Sequence, residues 1–254
     1  MSSADGPDLS QALIETLRDA ERVVALTGSG ISAESGVPTF REAQAGLWER
    51  YDPQQLATPE AFDTDPRLVW EWYEWRRKLV SEAEPNAGHR ALVELERRVP
   101  SFTLVTQNVD GLHERAGSRN VIELHGNILR SKCSWEGRIA EPEEHDDSVP
   151  PRCPQCGALL RPDVVWFGEI LPFGAFEAAS EAARRCDVFL SIGTSSLVYP
   201  AAALPYEALE SGATLVEINP SETPLTPHAT FVVQAQAGEI LPNLLHQASA
   251  SPAD

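Results

Sequence analysis

The chain has 254 residues, a formal charge of −18 and 42% hydrophobic residues. That length suits one large domain or a large domain carrying a small insert, and the acidic balance excludes general nucleic-acid binding, which needs a basic face to neutralise phosphates. Lysine occurs only at Lys78 and Lys132, a composition compatible with a salt-adapted cell or with a GC-rich genome.

The opening residues, MSSADGPDLS, carry no signal-peptide pattern, and no run of about 18 apolar residues occurs anywhere. The expectation is a soluble, cytoplasmic protein without membrane contact. In a reducing compartment its four cysteines read as metal ligands or core residues rather than disulfides. Leu9, Leu13, Ile14 and Leu17 share one side of a helix that starts near Asp8. Residues 23–26 form a continuous apolar run of buried-strand type, then give way to TGSGIS. Gly28, Gly30 and Ala33 fit the GxGxx(G/A) spacing of a phosphate-binding turn, in which the first glycine permits the turn and the second lets backbone approach a pyrophosphate. Ser29, Ser32 and Ser35 add hydroxyls. A further glycine turn at Gly36 with Pro38 leads to Arg41, a cation for an anionic ligand. The acidic residue that a dehydrogenase places about 20 positions after the glycines has no clear counterpart. The pattern therefore predicts nucleotide binding without the dehydrogenase arrangement.

Residues 46–66 are irregular and proline-punctuated and read as a lid or cap, followed by an aromatic helix over 66–83 and a second helix over 86–98. Strands are predicted over 102–106 and 121–124. From 130 to about 160 the composition shifts to cysteine, proline and acid, which marks an inserted module. Beyond it the pattern predicts strand 164–167, helix 176–185, strand 188–192, helix 199–211, strands 215–218 and 231–234, and helix 239–248. This alternation argues for an α/β fold with a sheet covered on both faces.

Ligands of such sheets bind beyond the carboxyl ends of the strands. The predicted ends carry Gly28 to Ser32, then Gln107, Asn108 and Asp110, then His125, then Gly193, Thr194 and Ser195, then Asn219. Turn chemistry accounts for each alone, but not for a histidine and a glutamine on one edge.

The segments GSGISAESGVPTFR, TQNVDGLHERAG, IELHGN, VVWFGE, GTSSLVYPAA and EINP, in that order, resemble the sirtuin family of NAD-dependent protein deacylases over about residues 20–245. The resemblance implies a Rossmann-like parallel sheet with helices on both faces (about 8–45, 86–128 and 161–248), a helical cap (about 46–85) and a small zinc-binding-type module (about 129–160). It implies that Gly28, Ser29, Gly30, Ser32 and Arg41 clamp the pyrophosphate and nicotinamide ribose of NAD. Phe40, Trp48, Gln107 and Val109 join the same cofactor-binding set. Gly193, Thr194, Ser195 and Asn219 hold the adenosine half, with Ala237 a backbone contact to adenine. Asn108 and Asp110 shape the nicotinamide pocket, and His125 acts as general base on a ribose hydroxyl, so that the acyl group leaves on ADP-ribose. A monomer acting on acyl-lysine peptides is expected.

The peptide is expected along Val165, Phe167, Gly168 and Glu169, as a strand added to a sheet edge. TFR in place of DFR points to the branch that removes acidic acyl groups. Tyr73 and Arg76, three apart on one helix, match that branch's signature for succinyl, malonyl or glutaryl lysine. The alternative is that Arg76 lies with Arg77 and Lys78 on a solvated face. The family's paired CxxC motifs are altered: Cys133, two residues, Glu136, sixteen residues, then Cys153, two residues, Cys156. Glu136, His145 or Asp146 can supply a fourth zinc ligand, or the lobe holds by packing alone. Cys186 reads as core. Two other functions stay open at this point: ADP-ribosyl transfer on the same scaffold, and a noncatalytic NAD-responsive binding module.

Overall fold

The computed structural model describes residues 9–38, 52–141, 146–172 and 174–249. The described chain opens with α1 (Gln11–Asp19), started by the Ser10 hydroxyl accepting from the N–H of Leu13. It then enters β1 (Arg22–Thr27), whose burial on both faces follows from its unbroken apolar run. After Gly28 comes the short α2 (Ser29–Ala33).

Where the sequence suggests an irregular cap, short helices stand: α3 (Pro53–Leu56) and α4 (Pro59–Thr64), ahead of the long α5 (Pro66–Glu82). The prolines there begin helices instead of breaking them. Pro59 and Pro66 occupy first-turn positions, where the missing N–H costs nothing, and the side chains of Thr58 and Asp65 cap the two turns.

Next come α6 (Ala87–Arg98), β2 (Ser101–Thr106), α7 (Leu112–Ala116) and β3 (Val121–Glu123). A separate antiparallel sheet follows, formed by β4 (Gly126–Cys133), β5 (Ile139–Ala140) and β6 (Leu160–Val164) in the order β5-β4-β6. The strand expected over 164–167 is thus displaced: β6 ends at Val164 and belongs to this small sheet. The chain returns through α8 (Ala175–Arg185), β7 (Val188–Ile192), α9 (Leu204–Glu210), β8 (Thr214–Ile218), β9 (Phe231–Val233) and α10 (Ala237–Ser249). The helix expected over 199–211 is split, with a 3-10 turn at Ala201–Ala203 before α9.

The parallel sheet runs β3-β2-β1-β7-β8-β9, the doubly wound strand order with its switch point between β1 and β7. Alternate residues of β1 face opposite layers. Val23 and Ala25 pack with α1, α6 and α10, whereas Val24 and Leu26 pack with α8 and α9. A third core joins the cap to the small sheet through Trp72, Tyr73, Ile128, Val164 and Trp166, with Leu112 from α7 closing it. Arg77 braces the same junction, donating to the carbonyls of Ile128 and Arg130 and to the Ser131 hydroxyl. It does not lie on a solvated face. No helix among the described residues is long and apolar enough to cross a membrane.

Candidate functional site at the carboxyl edge of the sheet

Backbone bonds align the loop starts side by side. Gly28 N–H donates to Ile192 O (3.0 Å), Gln107 N–H to Thr27 O (3.0 Å), Leu124 N–H to Thr106 O (2.9 Å), Gly193 N–H to Ile218 O (2.9 Å) and Asn219 N–H to Val233 O (3.1 Å). The strand-end residues singled out in the sequence therefore share one edge. At the switch point Gly30 donates its N–H to Gly193 O at 2.9 Å, and a Cβ on Gly30 would meet Gly193 Cα at 2.7 Å. The second glycine of the turn thus admits the neighbouring loop, a use the spacing alone does not reveal.

A buried polar cluster lies between β1 and β2. Asn108 Nδ2 donates to Gly28 O and to Ser32 Oγ, both at 3.0 Å. Ser32 Oγ donates to Asp110 Oδ2 at 2.7 Å, and the N–H of Leu112 donates to Asp110 Oδ1 at 2.9 Å. Burial raises the pKa of Asp110, while these donors and the cations Arg115 and Arg76 pull it back. Such a cluster fixes its members before any ligand arrives.

His125 follows β3 at the same edge of the sheet. Its Nδ1 lies 3.0 Å from Gln107 O. A carbonyl only accepts, so Nδ1 carries the proton and Nε2 of the neutral ring keeps its lone pair. Burial lowers the His125 pKa, with the Gln107 carbonyl opposing. The ring is therefore a neutral base near pH 7. Gly126 sets its direction: φ is +78°, and a Cβ there would strike Asp163 O at 2.2 Å.

On the adenosine side of the sequence reading, Thr194 is buried and Ser195 exposed, while Asn219 donates to Ser221 O at 2.8 Å. Val109 is partly buried and packs against the cap core, and Ala237 opens α10 in a buried position. Phe40, Arg41 and Trp48 lie outside the described residues.

Tyr73 is fully buried and accepts from Trp166 Nε1 at 2.9 Å; burial pushes its pKa up to about 12. The Arg76 guanidinium lies 4.9 Å from the Trp72 ring centroid and 5.8 Å from that of Tyr73. Desolvation lowers its pKa, with Tyr73 and Asp110 acting the other way. Arg76 therefore points inward, toward the polar cluster.

The 165–169 segment is no extended edge. Gly168 has φ +88°, and Glu169 folds back to pair with Arg161 (2.5 and 2.9 Å) and to accept from the N–H of Trp166 at 2.8 Å. Burial alone would raise the Glu169 pKa, yet the Arg161 pair holds it below the usual range. Glu169 is thus a brace, Trp166 is core, and Phe167 remains 44% exposed beside them. Val165 N–H donates to His125 O at 2.9 Å, which ties this loop to the base.

Within the small module, one ligand atom from each of Cys133, Glu136, Cys153 and Cys156 lies within 4.8 Å of the others. Cys133 Sγ and Cys156 Sγ are 3.5 Å apart, close to the edge of about 3.8 Å that Zn–S bonds of about 2.3 Å give a tetrahedron. The donor set of three thiolates and one carboxylate fits a structural zinc ion. Asp146 is occupied elsewhere, accepting from Ser148 and Arg152, and His145 lies outside the described residues. Cys186 is core, its thiol donating to Ala183 O. Sequence reasoning missed His113, Thr27 and Thr106, which bond beneath the cluster (2.9 Å for each pair). His113 lies inside the TQNVDGLHERAG segment, and a histidine five residues past Asn108 and three past Asp110 was the available signal.

Known proteins share this arrangement along nearly the whole chain. A deacylase of Methylococcus capsulatus, named NAD-dependent protein deacylase, is 50% identical over 246 residues, covering 94% of this chain and 96% of its own. A solved Sir2 homologue in complex with NAD superposes with a TM-score of 0.89 at 47% identity, covering 96% of this chain and 95% of that one. A Sir2 protein bound to an acetylated peptide gives 0.86 at 31% identity, covering 96% of this chain and all of that one (100%). The Sir2 family model matches residues 28–200, from the first glycine of the β1 loop to the turn before α9, and on this ground the chain belongs to the Sir2 family, the sirtuins.

Proposed function

We propose that this protein is an NAD-dependent protein-lysine deacylase that removes succinyl, malonyl and glutaryl groups in preference to acetyl. The observation that carries the acyl preference is the inward Arg76 guanidinium, stacked on Trp72 and facing Tyr73 and Asp110. Arg76 is partly exposed, and a cation partly withdrawn from water gains more from a ligand carboxylate than a fully hydrated one does. Tyr73 accepts from Trp166, which leaves its phenolic proton to donate to the same carboxylate.

NAD, when bound, supplies a glycosidic bond to a cationic ring that is primed to break. The protein's own contribution is orientation and proton handling. Gly28, Ser29, Gly30 and Ser32, with Arg41, Phe40 and Trp48, would hold the pyrophosphate and nicotinamide ribose; Gly193, Thr194, Ser195, Asn219 and Ala237 would hold the adenosine half. Gln107, Asn108, Val109 and Asp110 would shape the nicotinamide end. His125 Nε2 would take a proton from a ribose hydroxyl, its Nδ1–H fixed on Gln107 O. The acylated peptide would lie beside Val165, Phe167 and Gly168, with Glu169 bracing the loop. Zinc, held by Cys133, Cys153, Cys156 and Glu136, would keep the small sheet in shape and take no part in the chemistry.

The test is one peptide carrying acetyl, succinyl, malonyl or glutaryl lysine, assayed with NAD for nicotinamide release and O-acyl-ADP-ribose. Faster turnover of the acidic acyl groups supports the reading. A faster acetyl reaction defeats the preference, and a peptide that gains ADP-ribose defeats deacylation. His125→Tyr is expected to abolish turnover while NAD still binds.

A further inference from the structure

Two histidines behind the Asn108 cluster have no part in the chemistry above. His89, at the start of α6, is 0% exposed and His113, in α7, 1%; their ring centroids stand 4.8 Å apart. Their partners fix where the protons sit. The backbone N–H of Asn86 donates to His89 Nδ1 at 3.3 Å, so the neutral His89 ring carries its proton on Nε2. His113 Nε2 lies 2.9 Å from Thr27 Oγ1, and Thr27 gives its own hydroxyl proton to Thr106 Oγ1 at 2.9 Å. Thr27 can only accept from His113, which places the His113 proton on Nε2 as well. What remains is one donor, His89 Nε2–H, and one acceptor, His113 Nδ1. Both are buried and without a partner among the described residues. Burial lowers the pKa of His89 to about 4 and of His113 to about 3, so both rings are neutral near pH 7.

We propose that His113 is a positioning residue for Asn108, acting through a directed relay that starts at its Nε2–H, with the His89 ring packed against it and making no hydrogen bond to it. The relay runs from His113 through Thr27 to Thr106. Thr106 Oγ1 also accepts the backbone N–H of Asn108 at 3.0 Å, and Asn108 Nδ2 in turn grips Gly28 O and Ser32 Oγ. The body of α7 and the ends of β1 and β2 are thereby locked to one asparagine. Asn86 separately holds the loop after β1, donating from Nδ2 to Ile31 O at 2.7 Å and to Ser35 Oγ at 3.0 Å. Neutral imidazole is rigid and donates from one fixed edge, which is what a buried hydroxyl acceptor requires. A displacement of about 1 Å at a reacting group costs on the order of 100-fold in rate. This inference rests on the deacylase reading, in which Asn108 shapes the nicotinamide end of the site.

Two measurements on the full chain test it. Nitrogen-15 NMR between about pH 5 and about pH 8 is expected to show both rings neutral, protonated on Nε2 and not titrating; a His113 protonated on Nδ1, or titrating in that range, overturns the relay. For turnover, His113→Phe keeps a ring without nitrogens, and His113→Gln keeps a donor near the Nε2 position. His113→Phe is expected to lower kcat for nicotinamide release at least about 10-fold while ADP-ribose affinity stays within about threefold, and His113→Gln to recover most of the loss. Equal loss in both variants, or parallel loss of ADP-ribose binding, means that the ring only fills space and overturns the positioning role. Should His113→Phe not fold, His113→Asn takes its place, since its amide falls short of Thr27. If the unaltered chain releases no nicotinamide from any acyl peptide, the deacylase reading fails, and the NMR result still decides the relay.

Discussion

Gly30 and Gly193 interlock: the N–H of Gly30 reaches Gly193 O at 2.9 Å, and a Cβ on Gly193 would meet the backbone N of Ile31 at 2.6 Å. The loops after β1 and β7 are therefore one unit, closed at the switch point of the sheet, and neither accepts a methyl group without moving the other.

Gly193→Ala adds that clash to a left-handed φ of +61°. Strain of this kind costs on the order of 1–3 kcal/mol, so Tm is expected to fall by several degrees, at about 2–4 °C per kcal/mol for a chain of this size. NAD affinity should fall with it. Gly212→Ala is the control, since φ is +90° there but nothing lies within 4 Å of the added carbon. Calorimetry that finds equal losses in the two variants refutes the interlock.

Arg76→Met removes the guanidinium and keeps an unbranched apolar side chain over Trp72. A charge-assisted hydrogen bond is worth about 1.5–3 kcal/mol, or about 10- to 100-fold, so kcat/KM for a succinyl peptide is expected to fall by that factor while the acetyl reaction changes far less. Comparable losses on both peptides would leave Arg76 with a structural role only.

Zinc content is expected at about one equivalent per chain by metal analysis. Glu136→Gln removes the anionic oxygen, and metal loss to a chelator is expected to quicken about 10-fold or more; Glu136→Cys, a fourth thiolate, should slow it. A Glu136→Gln protein that holds zinc as long as the unaltered one excludes the carboxylate as ligand.

Acid stability follows from the buried histidines. The folded-state pKa values of His89 and His113, about 4 and about 3, lie below the ordinary value of 6.5. The unfolded chain therefore binds protons first. Stability is complete above pH 6.5 and declines as pH falls from there toward 4 and 3, by on the order of 3–5 kcal/mol per ring when the shift is fully expressed. Urea unfolding at several pH values should show this slope, and His89→Gln should flatten it. The acid limb of activity, governed by His125, should also lie below 6.5, because burial lowers that pKa as well.

The nucleotide edge was legible because β1 is an apolar run that stops at small residues, and because turn formation does not call for a histidine and a glutamine at strand ends. The displaced strand at 164–167 shows the opposite case. Val164 to Phe167 reads as a strand by composition, yet Trp166 turns into the cap core and Gly168 adopts a left-handed φ of +88°. The register shift between Asn127 and Ser131 likewise hid β4, whose apolar residues do not keep one alternation. The alternative that set Arg76, Arg77 and Lys78 on one solvated face fails for Arg77, because local charge density cannot show which carbonyls a fold will bring to a side chain. The histidine relay was hidden for the same reason: its partners come from α7, β1 and β2.

Arg161 carries a consequence of its own. It sits next to Leu160, the residue in register with Cys133, and it clamps Glu169 with its guanidinium 3.3 Å from the Trp166 ring centroid. The thiolate cluster and the segment that would meet the peptide are thus two ends of a short lever, with the dinucleotide loops off its arm. Slack at the cysteine end would be felt first as a poorer grip on protein targets, with the affinity for the nucleotide left intact.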